Sequence, residues 1–334
     1  MTNILFIGSF LSKVKGTKSI AESLAEKLAV EGIKIKLVSI FKNKFLRILH
    51  IFISILFYKE KKIHIDIFSG PAFKIAEVAS TLAFIRNKKI LLTLHGGKLV
   101  EFDELHNERI KKVFNRASLI QTPSLFLQSH FRKKGFEVNY LPNSISLNNF
   151  PFKRISVKPY SLLWVRAFTS IYNPKLAIEI LHELKNTYPH CTLTMVGPDK
   201  GLLDETINLA KTLGVTDSLT ITGPIANEEL FTYYQSHQVY LNTTSYESFG
   251  VAVIEAAACG IPIVSSNVGE LPFIWEDEHN ILLVDNLSAK DFCRSIIQLF
   301  DNSKMSEKLS INGRLNSEKF SWENIKRVWI KILT

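Results

Sequence analysis

Residues 241–272 read LNTTSYESFGVAVIEAAACGIPIVSSNVGELP, and the order of their parts decides the fold. An apolar segment ending near Leu241 runs into a polar loop, then Glu247-Ser248-Phe249-Gly250, then the apolar run from Val251 to Ala258, which closes at Cys259-Gly260 before Pro262. That is strand, loop, helix, strand. Gly260 stands where a helix end wants positive φ, and Pro262 cannot continue a helix. A second strand, Pro262 to Ser266, leads into the loop Val268-Gly269-Glu270. Both loops then face the carboxyl edge of a parallel sheet, where open α/β folds bind their ligands.

A helix starting near Phe249 aims unpaired N–H groups and the positive end of its dipole at that edge, and phosphate suits both. Glu247 stands just before this helix and Glu255 inside it. A carboxylate beside a phosphate site calls for a hydroxyl-rich neighbour, because ionised Glu accepts hydrogen bonds from two vicinal hydroxyls. A nucleotide sugar offers both a diphosphate and such diols. With ESFG followed by EAAACGIPIV and a Gly-containing loop, the stretch resembles the donor site of retaining glycosyltransferases of family 4, which have the GT-B fold. The resemblance implies two doubly wound Rossmann-like α/β domains facing across a cleft. It also implies transfer of a sugar from a nucleotide diphosphate donor to an acceptor hydroxyl, with retention at the anomeric carbon.

Other segments carry the resemblance further. The strand Lys89 to Leu94 delivers His95-Gly96-Gly97, where the family has a His-Gly whose imidazole hydrogen-bonds the transferred sugar. Tyr160 to Val165 opens the second sheet and hands off to Arg166, which the resemblance places on the diphosphate; a guanidinium pairs two oxygens at once. Val165 replaces the family's Gly there, and Lys175 is displaced from the position of its Lys. In the first strand-to-helix loop the family's Gly pair is reduced to Gly16, with Thr17 beside it. Asn143 is followed by Ser144 where the family has Gly. Gly223-Pro224-Ile225 follows a strand, and by resemblance its backbone reads the base. On this assignment His95, Glu247 and Arg166 are catalytic. Gly16, Thr17, Lys175, Gly223, Ser248, Phe249, Gly250 and Glu255 bind the donor, with Glu255 on the ribose. The sequence has no Asp-x-Asp motif, and an Arg with a helix dipole can take the place of a divalent ion, so neither metal nor cofactor is expected.

The 334 residues fit two domains, expected at 1–152 and 153–318, followed by a terminal helix over 319–334. That helix crosses back onto the first domain in GT-B enzymes; by its letters alone it could equally pack on the second. A 46% hydrophobic and 22% charged chain is globular, and Cys191, Cys259 and Cys293, odd in number, predict a reducing cytoplasm without disulfides. Met1 to Ser9 goes directly into a strand, so no export signal is expected. Charge is unevenly shared: residues 1–150 hold 24 Lys+Arg against 11 Asp+Glu, whereas the rest hold 17 against 20. No nucleic-acid-binding motif accompanies the basic half, which argues against that partner. Lys42 to Lys62 is an apolar run flanked by lysines, too short to span a bilayer. It is either a helix buried on the sheet or one lying at an anionic membrane surface, peripheral to the inner face. The acceptor expected by resemblance is a glycan or lipid-linked intermediate of cell-surface polysaccharide assembly. A non-catalytic nucleotide-sugar-binding subunit and an epimerase on the same fold remain the alternatives.

Overall fold

A computed structural model describes residues 3–8, 10, 19–96, 98–153 and 157–334, so Gly16 and Thr17 lie outside the described residues. The chain divides into two compact units: Met1–Ser144 with Glu323–Thr334, and Ile145–Trp322. The division falls ahead of the boundary expected after Phe152. Ile145 already pairs with Ser321 and Phe150 is already buried in the core of the second unit.

The first unit is a six-stranded parallel sheet of order β2-β1-β3-β4-β5-β6. Its strands are β1 Asn3–Ile7, β2 Lys34–Val38, β3 Lys62–Ile67, β4 Lys89–Leu94, β5 Leu119–Thr122 and β6 Asn139–Tyr140. Its helices are α1 Ile20–Val30, α2 Lys44–Phe57, α3 Phe73–Ile85, α4 Lys98–Phe114 and α5 Leu125–Lys133. Continuous apolar runs such as Ile90 to Leu92 are what a strand covered on both faces requires, and they form the core with Phe73, Phe114 and Phe131. Ser19 and Glu22 close a reciprocal capping box at the start of α1.

The second unit is another six-stranded parallel sheet, of order β12-β11-β10-β7-β8-β9. Its strands are β7 Lys158–Val165, β8 Thr192–Val196, β9 Leu219–Gly223, β10 His237–Asn242, β11 Ile263–Ser266 and β12 Leu282–Val284. Helices α6 Pro174–Lys185, α7 Leu203–Thr212, α8 Leu230–Ser236, α9 Val251–Cys259, α10 Leu271–Ile274, α11 Ala289–Asp301 and α12 Ser303–Glu318 connect and follow them. The last helix, α13 Trp322–Leu333, packs on the first unit, where Trp329 meets His64 and Lys326 pairs with Glu31 at 3.2 Å. In each sheet the strand order reverses once, between β1 and β3 and between β7 and β10. Those reversals open crevices at the carboxyl ends of the strands.

Two readings need correction. The helix expected near Phe249 begins at Val251, because Gly250 adopts φ +87 and ends the loop. Of the two alternatives for Lys42 to Lys62, a helix buried on the sheet holds only for one side: in α2 Ile51, Ser54 and Ile55 are buried, and the rest is not.

Candidate functional site

In the second unit, the crevice between β7 and β10 is bordered by the two residues that follow those strands most directly in function. Arg166 comes immediately after β7, and Glu247 lies in the loop after β10. Their side chains form a buried ion pair, Arg166 Nη2 to Glu247 Oε2 at 2.7 Å, each 9% exposed. Arg166 Nε donates to Asn242 Oδ1 at 3.2 Å, and the guanidinium lies 5.1 Å from the Tyr172 ring centre. Burial alone would lower the Arg166 pKa, but the Glu247 carboxylate outweighs it and the guanidinium is held charged, above its ordinary value. Nη1 has no partner among the described residues, so two N–H groups remain for an anion.

Glu247 Oε1 accepts the backbone N–H groups of Ser248 and Phe249 at 3.1 and 3.4 Å, so one carboxylate holds both Arg166 and the turn into α9. No side chain caps α9, which leaves its first amides directed at the same loop. The loops themselves are held by glycine. A Cβ at Gly269, φ +59, would collide with the Glu247 carbonyl, and Glu270 N–H donates to that carbonyl at 2.9 Å. Likewise a Cβ on Gly197 would collide with the Arg166 carbonyl. Neither glycine's role is visible without the neighbouring strand beside it.

Glu255 sits just over one turn into α9, buried, with the Tyr234 hydroxyl 3.4 Å from Oε2. Burial first and Glu255 second raise the Tyr234 pKa well above its ordinary value, and burial does the same for Tyr240, so both phenols stay protonated. The structure thus gathers Arg166, Glu247 and Glu255 with Asn242, Tyr172, Tyr234 and Tyr240, four residues that the sequence reading passed over.

Other expected donor residues fare differently. Lys175 turns to Glu205 on α7 at 2.5 Å, with both side chains exposed. It is the second residue of α6, and its side chain runs along the α6–α7 surface, so it adds no charge to Arg166. Phe249 is a core residue, packed edge-on against Phe320 at 5.5 Å, and only its backbone faces the loop. Gly223 ends β9 with φ +73, and its carbonyl already accepts from Gly197 N–H at 2.9 Å. Ser248 is half-buried beside Glu247.

In the first unit, His95 follows β4 and its Nε2 lies 2.9 Å from Asp66 Oδ1, with the ring stacked on Phe68 at 5.0 Å. A carboxylate only accepts, so Nε2 carries the proton and a neutral ring presents Nδ1 as an acceptor. Asp66 is buried in β3, on the same side of the strand as His64, whose Nε2 is 2.7 Å from Thr93 Oγ1. Thr93 in turn accepts from Gln121 Nε2 at 3.0 Å. Burial pushes the His64 imidazole down to about 4 despite the attraction of Asp66.

Two parallel doubly wound sheets, each with polar side chains collected at its switch point, define the GT-B class. Sucrose-phosphate synthase from Thermosynechococcus elongatus shares this fold with a TM-score of 0.79 at 19% identity, over 99% of this chain and 98% of that one. Anabaena HepE in complex with UDP and glucose does so with a TM-score of 0.78 at 16% identity, over 100% and 99%. The chain belongs to the glycosyl transferases group 1 family, whose profile matches residues 147–316. Among curated relatives, D-inositol 3-phosphate glycosyltransferase of Paenarthrobacter aurescens is 25% identical over 217 residues, 61% of this chain and 53% of that protein. The enzyme of the same name from Streptomyces bingchenggensis is 32% identical over 115 residues, 34% and 25%. The alignments therefore span about half the length of these relatives or less.

Proposed function

We propose that the protein transfers a glycosyl group from a nucleoside-diphosphate sugar to an acceptor hydroxyl, with retention at the anomeric carbon, in the assembly of a cell-surface glycan. The observation that carries this reading is the buried Arg166–Glu247 pair at the β7/β10 switch point, beside the uncapped start of α9. As the bond from the anomeric carbon to the diphosphate lengthens, negative charge grows on the leaving oxygen. The free Nη1 of Arg166 and the first amides of α9 are donors fixed in advance for that charge, the kind of contribution that dominates such barriers. Glu247 then accepts from hydroxyls of the transferred sugar and Glu255 from the ribose diol. His95, its tautomer set by Asp66, accepts from a sugar hydroxyl through Nδ1. No divalent ion is needed in this scheme, and nucleoside diphosphate release should survive a chelator.

The test is release of nucleoside diphosphate from UDP-, GDP- and ADP-sugars. HepE was crystallised with UDP-glucose, which makes that donor the first to try. The acceptor panel holds lipid-linked sugars and, from the names of the relatives, inositol 3-phosphate. Glu255→Ala should abolish release, and NMR of the first product should show the donor's anomeric configuration. Inversion would overturn the retaining assignment alone. The exposed pairing of Lys175 with Glu205 favours a second reading, a donor-binding subunit that does not transfer. Nucleotide binding without release on any acceptor would select it, and product formed without acceptor would indicate an epimerase.

A further inference from the structure

α2 is built inside out. At about 100° per residue, Arg47, His50 and Ser54 fall on one side with Ile51 and Ile55, and this mixed side faces the protein. Arg47 Nε donates to the buried Ser39 hydroxyl at 2.8 Å, and Ser39 N–H donates to His50 Nδ1 at 3.3 Å. The opposite half of the helix carries Phe45, Leu46, Leu49, Phe52, Ile53 and Phe57, all exposed, with Phe45 at 74% and Phe57 at 75%. A helix that only covered a sheet would place these groups the other way round. Its polar groups are spent on Ser39, just after β2, while the apolar groups of its outer half are exposed.

The surroundings say what covers that face. Exposed Lys42 and Lys44 stand at its start and exposed Lys59 and Lys61 at its end, and Glu60 is the one acid between residues 42 and 62. At the C-terminal end of α2 lies an open groove of about 380 Å³, lined in part by Lys34, Lys36, Tyr58 and Lys59. Lys34, Lys62 and Lys89 begin β2, β3 and β4, so the cationic row continues along the amino edge of the sheet. An apolar strip with cations at both ends matches a layer that is apolar within and anionic at its rim. Fourteen residues at 1.5 Å each reach about 21 Å, short of the roughly 30 Å of a bilayer core, so the helix lies along the layer and does not cross it.

We propose that α2 docks the protein on an anionic lipid surface, its apolar half sunk among the acyl chains and its flanking lysines among the headgroups. This interaction is independent of the donor chemistry. Each lysine near such a surface strengthens partitioning about fivefold, so four together contribute roughly two to three orders of magnitude.

The whole protein is mixed with sucrose-loaded vesicles of phosphatidylcholine, with or without about one third phosphatidylglycerol, and pelleted. Wild type should sediment with the anionic vesicles, far less with neutral ones, and less as salt rises. Phe45→Ser/Phe52→Ser/Phe57→Ser should lose at least tenfold in binding, and Lys42→Gln/Lys44→Gln/Lys59→Gln/Lys61→Gln about a hundredfold or more. All seven positions are exposed, so both variants should keep the wild-type circular dichroism and melting temperature, and the lysine variant carries the test should the first not fold. Equal binding to the two kinds of vesicle, or unchanged binding of either folded variant, overturns the proposal. So does a concentration-dependent dimer that Phe52→Ser dissociates while vesicles bind nothing, because the face would then belong to a second copy.

Discussion

Glu247→Gln removes one charge and little else, since the amide oxygen can still accept from Ser248 and Phe249. Arg166 is left charged, 9% exposed and without its carboxylate, and breaking a buried pair in this way costs about 3–5 kcal/mol. In a unit spanning Ile145–Trp322 each kcal/mol lowers the midpoint by about 2–4 °C, so the loss should be roughly 6–20 °C. A nucleoside diphosphate brings anionic oxygens to the same guanidinium and has no sugar for Glu247 to hold. It should therefore stabilise the variant more than the wild type, by about 1–3 kcal/mol beyond the roughly 2.7 kcal/mol expected at a hundredfold excess over Kd. Thermal melts of both proteins with and without UDP, GDP and ADP measure this. Arg166→Met/Glu247→Gln serves as the control: its melting point should recover, because an apolar isostere needs no counter-charge, and its response to nucleotide should vanish. An unchanged melting point in Glu247→Gln, or a nucleotide shift smaller than that of wild type, would refute Arg166 as the diphosphate's partner.

Acid should destabilise the first unit through His64. Folded, the imidazole titrates at about 4, whereas unfolded it takes a proton below about 6.5, so stability falls as the pH drops from 6.5 to 4, by about 3 kcal/mol in all. Denaturant melts across that window should show a shallower slope in His64→Gln. Gly269→Ala forces a Cβ against the Glu247 carbonyl at φ +59 and should cost about 2–3 kcal/mol, with donor binding lost before the fold, as read by calorimetry on a nucleoside diphosphate. Asp66→Asn removes the charged partner of His95 and should lower kcat about tenfold, with KM for the donor little changed.

Sequence periodicity carried the sheets well, because parallel strands buried on both faces are runs of Ile, Leu and Val that little else can imitate. Glu247, Glu255, Arg166 and His95 stood out for another reason: each lies in a stretch that resembles the family's donor site. What the letters could not give was partnership. Lys175 looks like a misplaced phosphate ligand until α7 puts Glu205 beside it. Asp66 did leave a trace, as His64 and Asp66 are two ionisable residues at alternate positions in the otherwise apolar Ile63 to Ile67, but nothing in the string says that His95 will stand next to it. α12 was missed outright: the positions it buries are Leu309, Gly313, Asn316 and Ser317, small or polar groups that write no apolar stripe.

The return of α13 ties the fate of the first unit to a segment translated after the whole of the second. Trp329 covers His64, Lys62 Nζ holds the Ile332 carbonyl at 3.2 Å, and Lys326 reaches Glu31, so the first unit waits on residues that follow the second. While the ribosome still holds the chain, the second unit can close around its own sheet, but the first stands open along one side. Cutting the chain after Trp322 would therefore wound the unit that was synthesised earlier, and leave the unit next to the cut intact.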